Sequence, residues 1–307
     1  MKNALIALIV IAILGVGGYY TYMKQKEITA ERKARESAMM EDKMKEDAMK
    51  ESEGEAMMED KTKTVLGQSA GGHDIVAYHY GEGEKEVLFV GGIHGGYEWN
   101  TALVTYNIMD YLAQNPSAVP TGVKATVIPV LNPDGLNKVV GTTTKFAASA
   151  VSSSEATQIS GRPNGNGVDL NRNFDCDWKA EGTWRSTKVS GGTAAFSEPE
   201  SKAVKAYIEA NNPAAVIVYF SAAGGVYSSN CHDGVSAETS ALTKAYATAS
   251  GYSAHEEFDF YSITGDITNW LAKINVPAIS VLLTNHTDVE WTKNQKGVEA
   301  MLKHYTQ

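Results

Sequence analysis

The run Gly91-Gly92-Ile93-His94-Gly95-Gly96-Tyr97-Glu98 sets an imidazole and a carboxylate close together among glycines. With the His at a strand end and the Glu at the start of the next helix, the pair can point a nitrogen and an oxygen at one metal ion. That donor set suits Zn²⁺, and the glycines let the backbone turn tightly between them. A turn with a helix cap uses the same residues, so the pair alone leaves both readings open. A second run, Asn132-Pro133-Asp134-Gly135, is by composition a turn. A third run extends from Gly161-Arg162 through Gly167-Val168-Asp169-Leu170-Asn171-Arg172-Asn173-Phe174. An Asn-Arg pair beside an ordered loop can hold a carboxylate, because a guanidinium donates two parallel hydrogen bonds. Arg162 would bring a second positive charge to the same cleft. Taken singly, either arginine is equally at home in a surface salt bridge.

Positioning these groups requires strand ends. Apolar runs of strand length occur at Asp74–Tyr80, Val87–Ile93, Lys124–Leu131, Ala214–Phe220 and Ala278–Thr284. Helix-length patterns lie between or after them at Trp99–Gln114, Glu198–Ala210, Glu238–Ala249, Asp266–Ile274 and Gln295–Tyr305. Strands apolar throughout are buried on both faces. Their alternation with helices predicts an α/β fold, a mixed and mostly parallel β-sheet flanked by helices on both faces. Ligands bind outside the carboxyl ends of such strands, and His94, Asn132–Gly135 and Ser221 each follow a strand run. The stretch from Gly141 to Gly167 reads as a loop that rims the cleft.

Taken together and in this order, the three runs resemble the zinc metallocarboxypeptidases, the carboxypeptidase A-like peptidases. The resemblance extends from about Leu66 to the C-terminal helix, and Gly167–Phe174 with Asn132–Gly135 is its most specific part. It implies that His94 and Glu98 are the first two zinc ligands. It implies that Arg162 polarises the scissile carbonyl and that Asn171 and Arg172 hold the C-terminal carboxylate of a peptide. Tyr261, in Phe260-Tyr261-Ser262-Ile263, resembles the tyrosine that closes over the substrate. In the family, zinc activates a water and a glutamate shuttles its proton.

The sequence departs from this pattern at three places. Three residues separate His94 from Glu98, one more than usual. The third zinc ligand should be a His just before Ser221, where this chain has Phe220, and a phenyl ring has no lone pair to give a metal. The proton-shuttling glutamate should lie in the run Pro277–Thr284, where Leu282 takes its place. The expected function is therefore recognition of a peptide's C-terminal end with hydrolysis weakened or lost. The alternatives are an active zinc carboxypeptidase with a substitute ligand such as His232, or an amidohydrolase of the related desuccinylase and aspartoacylase type.

Composition bounds the rest. The chain has 307 residues, 43% hydrophobic and 21% charged, with a net charge of -9. That acidity argues against a nucleic-acid partner, which would normally require a basic face. Residues 1–23 form an apolar segment of roughly the 20 residues that span a bilayer, read as an N-terminal membrane anchor or a signal segment. Residues 24–63 are a charged spacer, helical or disordered, and residues 64–307 the folded domain, expected on the extracytoplasmic side or secreted. Cys176 and Cys231 are the only cysteines. If their loops face one cleft they meet in a disulfide, which suits export. Otherwise they are two unrelated thiols.

Overall fold

The computed structural model describes residues 62–306, together with residues 23–26, 39–40 and 43 of the N-terminal segment. The chain divides into two units, Met1–Asp60 and Lys61–Gln307. Of the expected membrane segment, residues 1–23, all but Met23 lie outside the described residues. Among the described residues no helix is long and apolar enough to cross a membrane.

In chain order the second unit contains β1 (Lys63–Gln68), β2 (Asp74–Tyr80), β3 (Lys85–Val90), α1 (Trp99–Gln114), β4 (Val123–Ile128), α2 (Pro133–Val140) and α3 (Glu155–Ser160). Next come β5 (Glu181–Trp184), β6 (Thr187–Ser190), α4 (Pro199–Asn211), β7 (Ala215–Ser221), β8 (Gly225–Ser228), α5 (Ala237–Ser250) and β9 (Ala254–His255). The chain closes with α6 (Ile267–Lys273), β10 (Ala278–Leu283) and α7 (Trp291–His304). Eight strands form one sheet in the order β1-β2-β4-β3-β7-β10-β8-β9, and β5 pairs with β6 as a separate hairpin. The four central strands β4, β3, β7 and β10 are mutually parallel. Antiparallel β2 and β8 flank them.

The central strands are apolar throughout because both faces are covered. On one face Leu88, Val90, Val216, Val218, Phe220 and Leu282 pack with Val204 and Ile208 of α4 and Trp270 and Leu271 of α6. On the other, Val87, Phe89, Ile217, Tyr219 and Val281 pack with Ile108 of α1, Tyr246 of α5 and Met301 of α7. Successive residues alternate between these two cores, as the two-residue repeat of a strand requires.

The strand and helix runs read from sequence all fall on elements, and α1 has the expected bounds. Two expectations are corrected. Asn132–Gly135 is more than a turn: it opens α2, with the Asn132 side chain accepting from Gly135 N at 2.8 Å, Pro133 in the first turn and left-handed Gly141 at the end. Turn residues and helix-start residues are the same set, which is why composition alone misassigned it. The stretch 141–167 likewise holds α3, capped by Ser154.

Candidate active-site cleft

The carboxyl ends of β3, β7 and β10 open onto a cleft of about 780 Å³, lined among others by His94, Glu98, Arg162, Arg172, Tyr261 and Leu282. His94 leaves β3 through Gly91-Gly92 and is followed by a tight 3₁₀ turn, Gly95–Glu98. That turn accommodates the extra residue between His94 and Glu98 and returns the carboxylate to the imidazole. Gly95 is left-handed, and a Cβ there would lie 2.7 Å from the Gly161 carbonyl, so this approach requires glycine. His94 Nδ1 lies 2.9 Å from Glu98 Oε1 and Nε2 lies 3.3 Å from Asp169 Oδ1. Neither ring nitrogen, both buried, has a well-aligned hydrogen-bond partner.

Asp169 is the residue that sequence reasoning passed over. It caps the short turn Leu170–Arg172, accepting from Asn171 N, and it also accepts from Arg162 Nε at 2.9 Å. Arg162 Nη1 reaches Glu98 Oε1 at 3.6 Å. All four of these side chains are buried. Burial pushes the Asp169 pKa up, but Arg162, His94 and Arg172 outweigh it and hold the carboxyl well below the usual carboxylate range. Burial raises Glu98 in the same way, and His94 and Arg162 again prevail, leaving it below its ordinary value. Glu98 Oε2 also accepts from Ser221 N at 3.0 Å.

Asn171 and Arg172 both line the cleft, and each has protein partners as well. Asn171 Nδ2 donates to Asp266 Oδ2 at 2.8 Å, and its Oδ1 accepts from Ile267 N. Asp266 is thereby fixed as the cap of α6. Arg172 donates to the Thr183 carbonyl from Nε and Nη2 and to the Asn171 carbonyl from Nη1. Tyr261 also lines the cleft, its ring 6.0 Å from the Arg172 guanidinium. Burial raises its pKa, and Arg172 opposes the rise. Trp184, from the β5–β6 hairpin, lies 4.6 Å from the Arg162 guanidinium, and Tyr97 lies 5.6 Å from it. Nothing in the sequence marked Trp184. His286 had a signal that went unused, since it follows β10 by three residues at the ligand-binding edge. Its Nε2 lies 3.2 Å from the Tyr97 hydroxyl, and burial lowers its pKa.

Phe220 and Leu282 stand side by side, directly opposite each other in the parallel β7–β10 register. Both line the cleft, and the Phe220 ring centre is 5.7 Å from that of His94. Catalytic zinc sites use three protein ligands and a water. His94 and Glu98 offer two donors. Among the described residues, no third His, Cys, Asp or Glu joins them in a group whose donor atoms all lie within 4.8 Å of one another. The donor set therefore does not fit a catalytic zinc ion. His232 does not line the cleft. It is exposed, beside Cys231, with Nε2 2.9 Å from Asp177 Oδ1. Cys176 and Cys231 form a disulfide, Cα to Cα 6.1 Å.

The zinc carboxypeptidase family model matches residues 50–299. The chain belongs to that family. Solved structures with the same fold include carboxypeptidase A from Helicoverpa armigera, at 18% identity over 80% of this chain and 69% of that one, TM-score 0.61. Bovine thrombin-activatable fibrinolysis inhibitor, in complex with tick carboxypeptidase inhibitor, matches at 16% identity over 79% and 90%, TM-score 0.61. Murein-tripeptide amidase from Escherichia coli O157 matches at 20% identity over 79% and 90%, TM-score 0.54. No curated protein matches the chain.

Proposed function

We propose that this zinc carboxypeptidase-like protein binds the C-terminal end of a peptide and does not efficiently hydrolyse its terminal bond. The observation that carries this reading is the paired Phe220 and Leu282. They place two hydrocarbon side chains where the family needs an imidazole and a carboxylate. Leu282 cannot take a proton, and general acid–base help is worth about 10²–10⁴-fold in rate. An unmetallated His and Glu buried there would cost free energy, which Phe and Leu avoid.

The binding groups remain in the same cleft. Of the five N–H donors of a guanidinium, three on Arg172 serve the Thr183 and Asn171 carbonyls. One on each terminal nitrogen is not used by these carbonyls, which is the fork a carboxylate accepts. Asn171 and Tyr261 flank it, and Arg162 adds a second positive charge.

The test is calorimetric titration of the purified protein with a peptide bearing a free C-terminal carboxylate and with its C-terminal amide. A murein tripeptide serves as a second free-carboxylate ligand. The free acids should bind and the amide should not, and Arg172→Ala should remove the difference. Stoichiometric zinc together with rapid release of C-terminal residues would sink the reading. An active enzyme using His232 as ligand is disfavoured by that residue's place at the disulfide. The family match favours the peptidase branch over the amidohydrolase one. We also propose that the domain is extracytoplasmic and held at a membrane by residues 1–23. The disulfide supports an oxidising compartment, and release of the full-length chain from membranes by alkaline extraction would count against the anchor.

A further inference from the structure

The second concentration of ligand-type side chains lies outside the cleft. Cys176, Cys231 and His232 have donor atoms that all lie within 4.8 Å of one another, and none of the three lines the cleft. As the protein stands, the two sulfurs are joined and offer no thiolate. We propose that when a dithiol reductant opens this bridge, Cys176, Cys231 and His232 become a divalent-metal site of the zinc-binding kind, so that a metal tie replaces the covalent one.

Several features favour this. Two thiolates and one imidazole are a common protein donor set for Zn²⁺, and a water would complete the tetrahedron. Asp177 is the orienting partner: its Oδ1 lies 2.9 Å from His232 Nε2. Carboxylates hydrogen-bonded to ligating imidazoles fix the ring and raise its basicity. The residues that follow the two cysteines, Asp177 and His232, both have left-handed backbones, φ 52° and φ 72°. That conformation is uncommon outside glycine, yet the chain adopts it after each cysteine and the two side chains meet there. The sulfurs are buried while the imidazole is exposed, so an ion can approach from the His232 side.

The chemistry balances. Opening the bridge takes two electrons and two protons: a dithiol is oxidised to its own disulfide, and a phosphine, with one water, to its phosphine oxide. Metal binding then displaces the two thiol protons. The Cys176 carbonyl accepts from Gly265 N, and Phe174 N donates to the Gly265 carbonyl. The cysteine bridge thus ties the segment carrying Asn171 and Arg172 to the loop of Asn230, which lines the cleft. A metal at this site would preserve that tie under reducing conditions.

The experiment titrates the full-length protein with Co²⁺ after chelator treatment and reduction by a phosphine. The expected result is a thiolate-to-cobalt charge-transfer absorption that saturates at one ion per chain and is absent from the oxidised protein. Cobalt held by His94 and Glu98 carries no thiolate and is silent in that band. Cys176→Ser and Cys231→Ser should abolish it. His232→Ala leaves the disulfide intact in the oxidised protein and should weaken the reduced protein's affinity. Asp177→Asn should weaken it by roughly 10-fold. The proposal is overturned if the reduced protein gives no such band, or if the band titrates unchanged in His232→Ala. It also fails if reduction abolishes the circular dichroism of the domain and metal does not restore it.

Discussion

At the residue scale, the centre of the cleft is a closed ring of contacts: Arg162 sits between Asp169 and Glu98, and His94 sits between the same two carboxylates. Removing one partner of a buried pair leaves an uncompensated charge, at about 3–5 kcal/mol. Arg162→Ala should lower the unfolding free energy by that amount in a denaturant titration. The acid limb follows from the same contacts. Asp169 and Glu98 are both held below their ordinary pKa, against unfolded values of about 3.9 and 4.3. A depressed carboxyl adds stability that is fully present above the unfolded value and is lost as pH falls through the folded one. Denaturant midpoints should therefore fall steadily below pH ~4, and Asp169→Asn should make that decline shallower. A decline equally steep in the variant would mean that other carboxyls carry the acid sensitivity. His94 and Glu98 were legible from spacing alone as a possible ligand pair. Asp169 was not, because its role comes from a two-residue cap and a contact with a histidine 75 positions earlier, and neither leaves a mark in the local pattern.

At the element scale, β7 and β10 carry Phe220 and Leu282, the two residues on which the proposed loss of hydrolysis rests. These strands were legible because they are apolar without interruption, and the register places Phe220 opposite Leu282. Four of the strands that escaped sequence reasoning share a cause. β5, β6, β8 and β9 are two to four residues long, and β5 and β6 are largely exposed, so they offer neither an apolar run nor an alternation. Yet β5 places Thr183 on Arg172 and Trp184 on Arg162. The β7–β10 pair gives a direct test. Phe220→His or Leu282→Glu alone puts an unsatisfied polar group into a well-packed position and should cost about 1–3 kcal/mol. The two together, with zinc supplied, should recover stability as a zinc-dependent rise in melting temperature. Release of C-terminal residues should appear only in that double variant. Activity in the unmodified protein at a similar rate would show that neither position had been limiting.

At the scale of the whole molecule, the Cys176–Cys231 bridge joins the segment that follows Arg172 to the loop that follows β8. It closes a stretch with a sequence separation of 55. For a loop of that size the chain-entropy account gives up to about 4 kcal/mol of stabilisation, less any strain. Cys176→Ser/Cys231→Ser should therefore lower the unfolding free energy by up to that amount. The effect on ligand binding should be smaller than the effect on stability. Asn171 remains tied to Asp266 and the start of α6, and Arg172 remains held by the Thr183 carbonyl. Both anchors are independent of the sulfurs, so the groups proposed to bind the carboxylate stay in place while the loop around Asn230 gains freedom. Calorimetry on the double-serine protein should show the free-acid peptide still preferred over its amide, with a modest loss of affinity. Complete loss of that preference in a variant that remains folded would assign the bridge to the binding site itself. Retention of full affinity would confine the bridge to stability.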